Sequence, residues 1–183
     1  MRALILCLCW LLLGGCGQIP VSVDYQSGVD FSRFSHYYWL PPEANQQPES
    51  IYNSDLVSAR VEQAVEQQLL SRSLLRIDNP EQADVLVRYQ IGVEQMVEME
   101  PFMGLEGSYS LHRSSYGSGL LSIVSHEYKQ STLVIDLLHP EDKRLLWRGT
   151  AERRLKTFNS PDQHSAFITE TVAAVLAKYP PQP

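Results

Sequence analysis

From Val85 to Glu94 the chain alternates side-chain character without a miss, with Val85, Val87, Tyr89, Ile91 and Val93 set against Leu86, Arg88, Gln90 and Glu94. A period of two built on β-branched and aromatic residues is the mark of an extended strand with one buried face. Such a strand is not stable alone. The remaining residues therefore have to provide neighbouring strands and an apolar layer over that face.

Both are legible. Val21–Tyr25 alternates, and His36–Leu40 is an aromatic extended run stopped by Pro41-Pro42, since proline offers no N–H to a ladder and disfavours helix at the residue before it. After a polar connection through Pro48, Ser54 or Asp55 is a good N-cap, and Val57, Val61, Ala64, Val65 and Leu69 recur at three and four. That spacing predicts an amphipathic helix over roughly residues 55 to 72. Beyond the central strand, a β-rich run from about Ile123 to Leu138 and another from Leu145 to Leu155 flank the turn His139-Pro140-Glu141-Asp142, the pattern of a hairpin. Ser160-Pro161-Asp162-Gln163 opens a last helix with serine at the N-cap, proline at the first helical position and glutamine where a capping box places it. Phe167, Ile168, Val172, Val175, Leu176 and Tyr179 mark its apolar face.

The order is β-β-α-β-β-β-α. It predicts a two-layer α+β domain over residues 21–183, a largely antiparallel sheet with both amphipathic helices on one face. The opposite face is expected to carry Arg88, Thr132 and Arg148.

Between about 95 and 121 the periodicity is lost among Met96, Met99, Phe102, Met103, Tyr109 and several glycines. Long irregular connections in compact domains are usually functional or disordered. Methionine and aromatic side chains without periodicity suit an adaptable contact surface, which makes Met99, Phe102, Met103 and Tyr109 the candidate partner-binding residues of this loop. The plainer reading is a β-hairpin extension or a floppy tip that packs locally.

The amino terminus bears on location. Arg2 precedes an apolar run from Ala3 to Leu13, followed by Leu13-Gly14-Gly15-Cys16. The run is shorter than the ~20 residues a spanning helix needs, and small residues before a cysteine form a lipobox. Residues 1–15 are read as a lipoprotein signal peptide and Cys16 as the lipidation site, with residues 16–20 a short tether. Cys7 and Cys9 leave with the leader, so the mature domain has no thiol for a disulfide and its stability rests on an ordinary core. Gly17 is not the aspartate that retains enteric lipoproteins at the inner membrane, so the expected location is the outer membrane, facing the periplasm. With 15 basic and 21 acidic side chains, a formal net charge of −6, nothing invites nucleic acid. Membrane attachment rests on acyl chains.

Catalytic and metal patterns are weak. His36, His112, His126, His139 and His164 show no HxxxH pair, so no metal site is predicted and no cofactor is implied. No GxSxG elbow surrounds the serines. Asp136 and Glu152 are carboxylates of interest, but turn chemistry and a sheet-surface ion pair with Arg148 or Arg154 account for them. Glu94, Glu98, Glu100 and Glu106 lack a calcium-loop register. In Trp147-Arg148-Gly149 the tryptophan falls on the core face, Gly149 allows a bulge or a close backbone approach, and Arg148 faces outward as a candidate contact for a partner's carboxylate or phosphate.

Taken in order, the lipobox cysteine, Asp24-Tyr25, Asp30-Phe31-Ser32-Arg33-Phe34, Trp39-Leu40-Pro41, Ala83-Asp84-Val85-Leu86-Val87, Leu133-Val134-Ile135-Asp136 and Leu146-Trp147-Arg148-Gly149-Thr150-Ala151 resemble the bacterial lipoproteins grouped as domain of unknown function family 4136. The resemblance implies the fold and an envelope location, and no established activity. It does not extend to residues 96–120 or to His139-Pro140. The expected function is a non-enzymatic, lipid-anchored binding module for an envelope protein partner. The alternatives are a carrier or sensor of a small apolar ligand or lipid held under the loop and, behind it, an envelope hydrolase.

Overall fold

A computed structural model describes residues 18–40, 54–102 and 122–181. Residues 1–17, with the expected signal peptide and Cys16, the proline-rich stretch 41–53, and residues 103–121 and 182–183 lie outside the described residues. The elements run β1 (Val21–Tyr25), β2 (His36–Trp39), α1 (Asp55–Leu70), β3 (Leu75–Ile77), β4 (Val85–Phe102), β5 (Ser122–Leu138), β6 (Leu145–Arg154) and α2 (Pro161–Leu176). They form an α+β fold on one sheet of six strands, in spatial order β1-β6-β5-β4-β2-β3.

The sheet is antiparallel from β1 to β4 and parallel across β4–β2 and β2–β3. Among the described residues β1 pairs with β6 alone, so the strands at 21 and 36 are not neighbours. Residues Leu75–Ile77 add a strand that the pattern does not announce. Its three residues bury little, and they are extended because β2 offers them a parallel ladder, His36 opposite Leu75.

α1 forms where its stripe predicts, with Val57, Val61, Ala64, Val65 and Leu69 all buried. It stops at Leu70, two residues early. Ser73 takes a left-handed φ of 64°, and Leu74 N–H then donates back to Leu69 C=O at 3.0 Å, a C-terminal closure that uncoils the chain into β3. In α2, Ser160 Oγ accepts from Gln163 N–H at 3.3 Å, while the Gln163 side chain accepts from Asn159 N–H at 2.9 Å. The capping box is thus closed one residue ahead of the N-cap.

Both helices share one core with the same sheet face, where Val85, Val87, Ile135, Leu137 and Trp147 meet Val65, Leu69, Val172, Val175 and Leu176. Full burial of each such side chain contributes about 1.5–3 kcal/mol. Aromatic edges close one end: Phe31 meets Tyr179 at 5.9 Å and Tyr179 meets Trp147 at 5.5 Å between centroids. The bulge sits at Leu146 and not at Gly149. Leu137 opposes Trp147 and Leu138 opposes Leu145, so the extra residue lets Leu146 and Trp147 both enter the core. Gly149 serves close approach instead, since a Cβ there would lie 2.5 Å from Trp147 Cη2 and 2.6 Å from Val175 Cγ1.

The irregular loop expected over about 95–121 is corrected at its N-terminal end, while its C-terminal end falls where the sequence puts it. β4 continues to Phe102, and β5 begins at Ser122 opposite it. The hairpin-extension reading holds for these residues.

Candidate interaction surface

The sheet face turned away from the helices carries a charged row. Directly opposed positions run Asp24, Arg148, Asp136 and Arg88 across β1, β6, β5 and β4, and opposed residues in a ladder share a face. Arg148 donates from Nε to Asp136 Oδ1 at 2.6 Å and from Nη2 to Oδ2 at 2.8 Å, and Arg88 Nη2 donates to Oδ2 at 2.9 Å. The Asp136 side chain is 2% exposed. The hydrogen bonds that Arg148 donates to this carboxylate, more than the charge of Asp24 opposite, raise Arg148 above the ordinary guanidinium range. A buried carboxylate held by two guanidinium groups is a fixed structural group. Arg148 is therefore engaged within the chain, and the ion pair expected of Asp136 accounts for both residues. Glu152 is exposed and accepts from Gln130 Nε2 at 2.9 Å.

At the other end of β4 the surface is of a different kind. β2 pairs with β4 only as far as Val87, and β6 pairs with β5 only as far as Gln130, with one further bond from Leu155 N–H to Lys129 C=O at 2.8 Å. Residues 95–102 and 122–129 thus continue as a two-stranded ribbon, about 26 Å long at ~3.3 Å per residue. Among the described residues no further strand covers either edge. Val97 is 53% and Met99 68% exposed. They stand on the helix-side face, opposite Glu127 and Ser125. The other face is tied by Arg154, which reaches Glu98 at 3.6 Å and lies 4.1 Å above the Tyr128 ring.

Of the sequence-selected contact residues, Met99 is in the ribbon and Phe102 is its last β4 position, opposite Ser122. Met103 and Tyr109 lie outside the described residues, as does Cys16, the lipidation site expected from the sequence. Arg148 is on the main sheet and is not brought together with Met99.

An apolar cleft between the N-terminal ends of both helices and the sheet, lined by Val57, Val61, Ile91, Val93, Phe167 and Ile168, holds about 50 Å³. Binding pockets for drug-sized ligands run to about 300–1,000 Å³. The larger hollows, of about 780 Å³ at the ribbon base and about 920 Å³ beside α2, are open grooves. At the mouth of the cleft His164 stacks on Phe158 at 4.6 Å and faces Arg60 Nη1 at 3.5 Å, and burial and then the Arg60 charge hold its pKa below the usual histidine range. His126 is exposed opposite Glu98. Among the described residues no three His, Cys, Asp or Glu side chains gather to hold a metal ion, and no helix is long and apolar enough to cross a membrane.

No curated protein matches this chain. Among solved structures, a PDZ domain protein from Parabacteroides distasonis aligns at a TM-score of 0.55 and 15% identity over 90% of this chain, which spans only 36% of that protein. A DUF4136 family protein from Bacteroides thetaiotaomicron aligns at 0.50 and 13% identity, covering 89% of this chain and 96% of that one. A PelC dodecamer from Paraburkholderia phytofirmans aligns at 0.45 and 11% identity, covering 86% and 96%. At these identities the likeness concerns fold. The model of the family described as Domain of unknown function (DUF4136) matches residues 21–181, the whole run from β1 past the end of α2. The chain belongs to the DUF4136 family.

Proposed function

We propose that the protein is a lipid-anchored, non-enzymatic module of the bacterial outer membrane, held by Cys16 on the periplasmic side, that binds another envelope protein through the β4–β5 ribbon. The observation that carries the reading is the ribbon itself: two open strand edges with Val97 and Met99 turned to solvent. Uncovered edges of this length invite pairing. The lipobox supports the anchor, and the small volume of the cleft between helices and sheet favours surface contact over carriage of a lipid in the core.

The test is photo-crosslinking in cells from positions 97 and 99, with Glu141 as a control position. One discrete protein adduct at both ribbon positions, absent from 141, is expected. Adducts to lipid alone, or none, would remove the protein partner from this reading.

A further inference from the structure

The tether and the ribbon leave the same end of the sheet. β1 is antiparallel to β6, with Val21 opposite Ala151 and Tyr25 opposite Trp147, so residues ahead of Val21 head toward Arg154. Gln18, Ile19 and Pro20 do so, sharing a groove with Arg153 and with Ala173 and Ala174 of α2. Arg153 opposes Ser131, and the ribbon begins two residues further on. The anchor's exit and the ribbon's base are therefore on nearly the same level.

The length of the tether fixes how close the ribbon comes to the bilayer. Only Cys16 and Gly17 separate Gln18 from the acyl chains, about 7 Å of chain at ~3.4 Å per residue. The ribbon runs about 26 Å past its base in the same direction. A bilayer holding the anchor is reached by the ribbon before the tether is fully extended. The opposite end of the sheet, the turn between β5 and β6, exposes Glu141, Asp142, Lys143 and Arg144, which suits it to water.

We infer that, when no partner protein is engaged, the ribbon lies against the lipid surface that holds the anchor, presenting Val97 and Met99 to it. This rests on the reading of Cys16 as lipidated and of the ribbon as the contact surface. Any protein reached by the ribbon is then one seated at the same bilayer. The ribbon carries Glu98, Glu100 and Glu127 near its apolar pair, with Lys129 at its base and Arg154 bound to Glu98. That acidic balance selects a zwitterionic surface over an anionic one.

The test uses the full chain, expressed in a bacterial host and purified in its lipidated form. With Cys7 and Cys9 removed with the leader and Cys16 acylated, Met99→Cys or Glu141→Cys supplies the one free thiol for an environment-sensitive fluorophore. The labelled chains are placed at one copy per vesicle in pure phosphatidylcholine. Position 99 is expected to show blue-shifted emission quenched by a nitroxide lipid, and position 141 neither. A vesicle-bound, acylated chain whose position 99 emits as in water, or whose position 141 is quenched equally, overturns the inference and leaves the anchor standing. A chain whose mass shows no acyl addition and which stays off the vesicles overturns the anchor and this inference together.

Discussion

Arg148 and Asp136 face each other across the β5–β6 ladder, and the guanidinium grips both carboxylate oxygens at 2.6 and 2.8 Å. Arg88 closes the same carboxylate from β4 at 2.9 Å. Asp136→Ala leaves two half-buried cations facing one another, and about 3 kcal/mol of stability is expected to be lost. Arg148→Ala is expected to cost about half as much, because Arg88 remains and Arg148 is itself 41% exposed. Urea unfolding of both variants measures this, and an Asp136→Ala midpoint equal to wild type would show the row to be ornamental.

Two glycines in the sheet are expected to respond with opposite sign. Gly149→Ala drives a methyl into Trp147 and Val175, both fully buried, and overpacking of this kind costs about 1–3 kcal/mol. Gly92 has nothing within 4 Å of an added Cβ, so Gly92→Ala is expected to be neutral or to stabilise by up to about 1 kcal/mol through the unfolded chain. Thermal midpoints of the two variants, read side by side, check the contrast.

His164 gives the core a predictable response to acid. Its pKa is lowered in the fold by burial and by Arg60, so the unfolded chain takes up this proton at a higher pH than the folded one. Stability from the neutral ring is present above the unfolded value of about 6.5 and is lost as pH falls through that value toward the folded pKa. His164→Gln is expected to flatten unfolding free energy between about pH 7 and 5.5 relative to wild type. Equal slopes for the two proteins would place the acid response elsewhere.

The ribbon's exposed pair is expected to matter for contact and not for folding. Val97→Asp with Met99→Asp changes two solvent-facing positions, and a shift of less than about 0.5 kcal/mol is expected, with crosslinking from Pro101 reduced. A large loss of stability would show that these side chains are packed in solution.

What the sequence reveals tracks how local each cause is. The start of α2 is legible because Ser160, Pro161 and Gln163 carry their reasons within four residues, and the predicted cap is present. The first half of β4 is legible because only one of its faces meets the helices. From Glu94 onward both faces of the ribbon meet water, so Met96, Glu98 and Glu100 on one side and Val97 and Met99 on the other leave no alternation to read, and only pairing with β5 holds them extended. β3 escapes for a similar reason, its three residues being set by β2. In the charged row, Asp136 and Arg148 lie 12 residues apart across one turn, and their pairing is foreseeable. Arg88 is 48 residues away, and its share in that carboxylate needs the sheet order.

The same order has a consequence for synthesis. Among the described residues β1 lies at the edge and is laddered to β6, Val21 against Ala151. A ribosome delivers β1 near the beginning and β6 near the end, so the first strand made waits for almost the last. Nascent chains ending before Leu145 leave Val21 and Val23 without a ladder, and long-range closure of this kind is the slow step of a fold. Closure of the sheet is thus an event of the finished chain: the edge made first is laddered only when synthesis is nearly over.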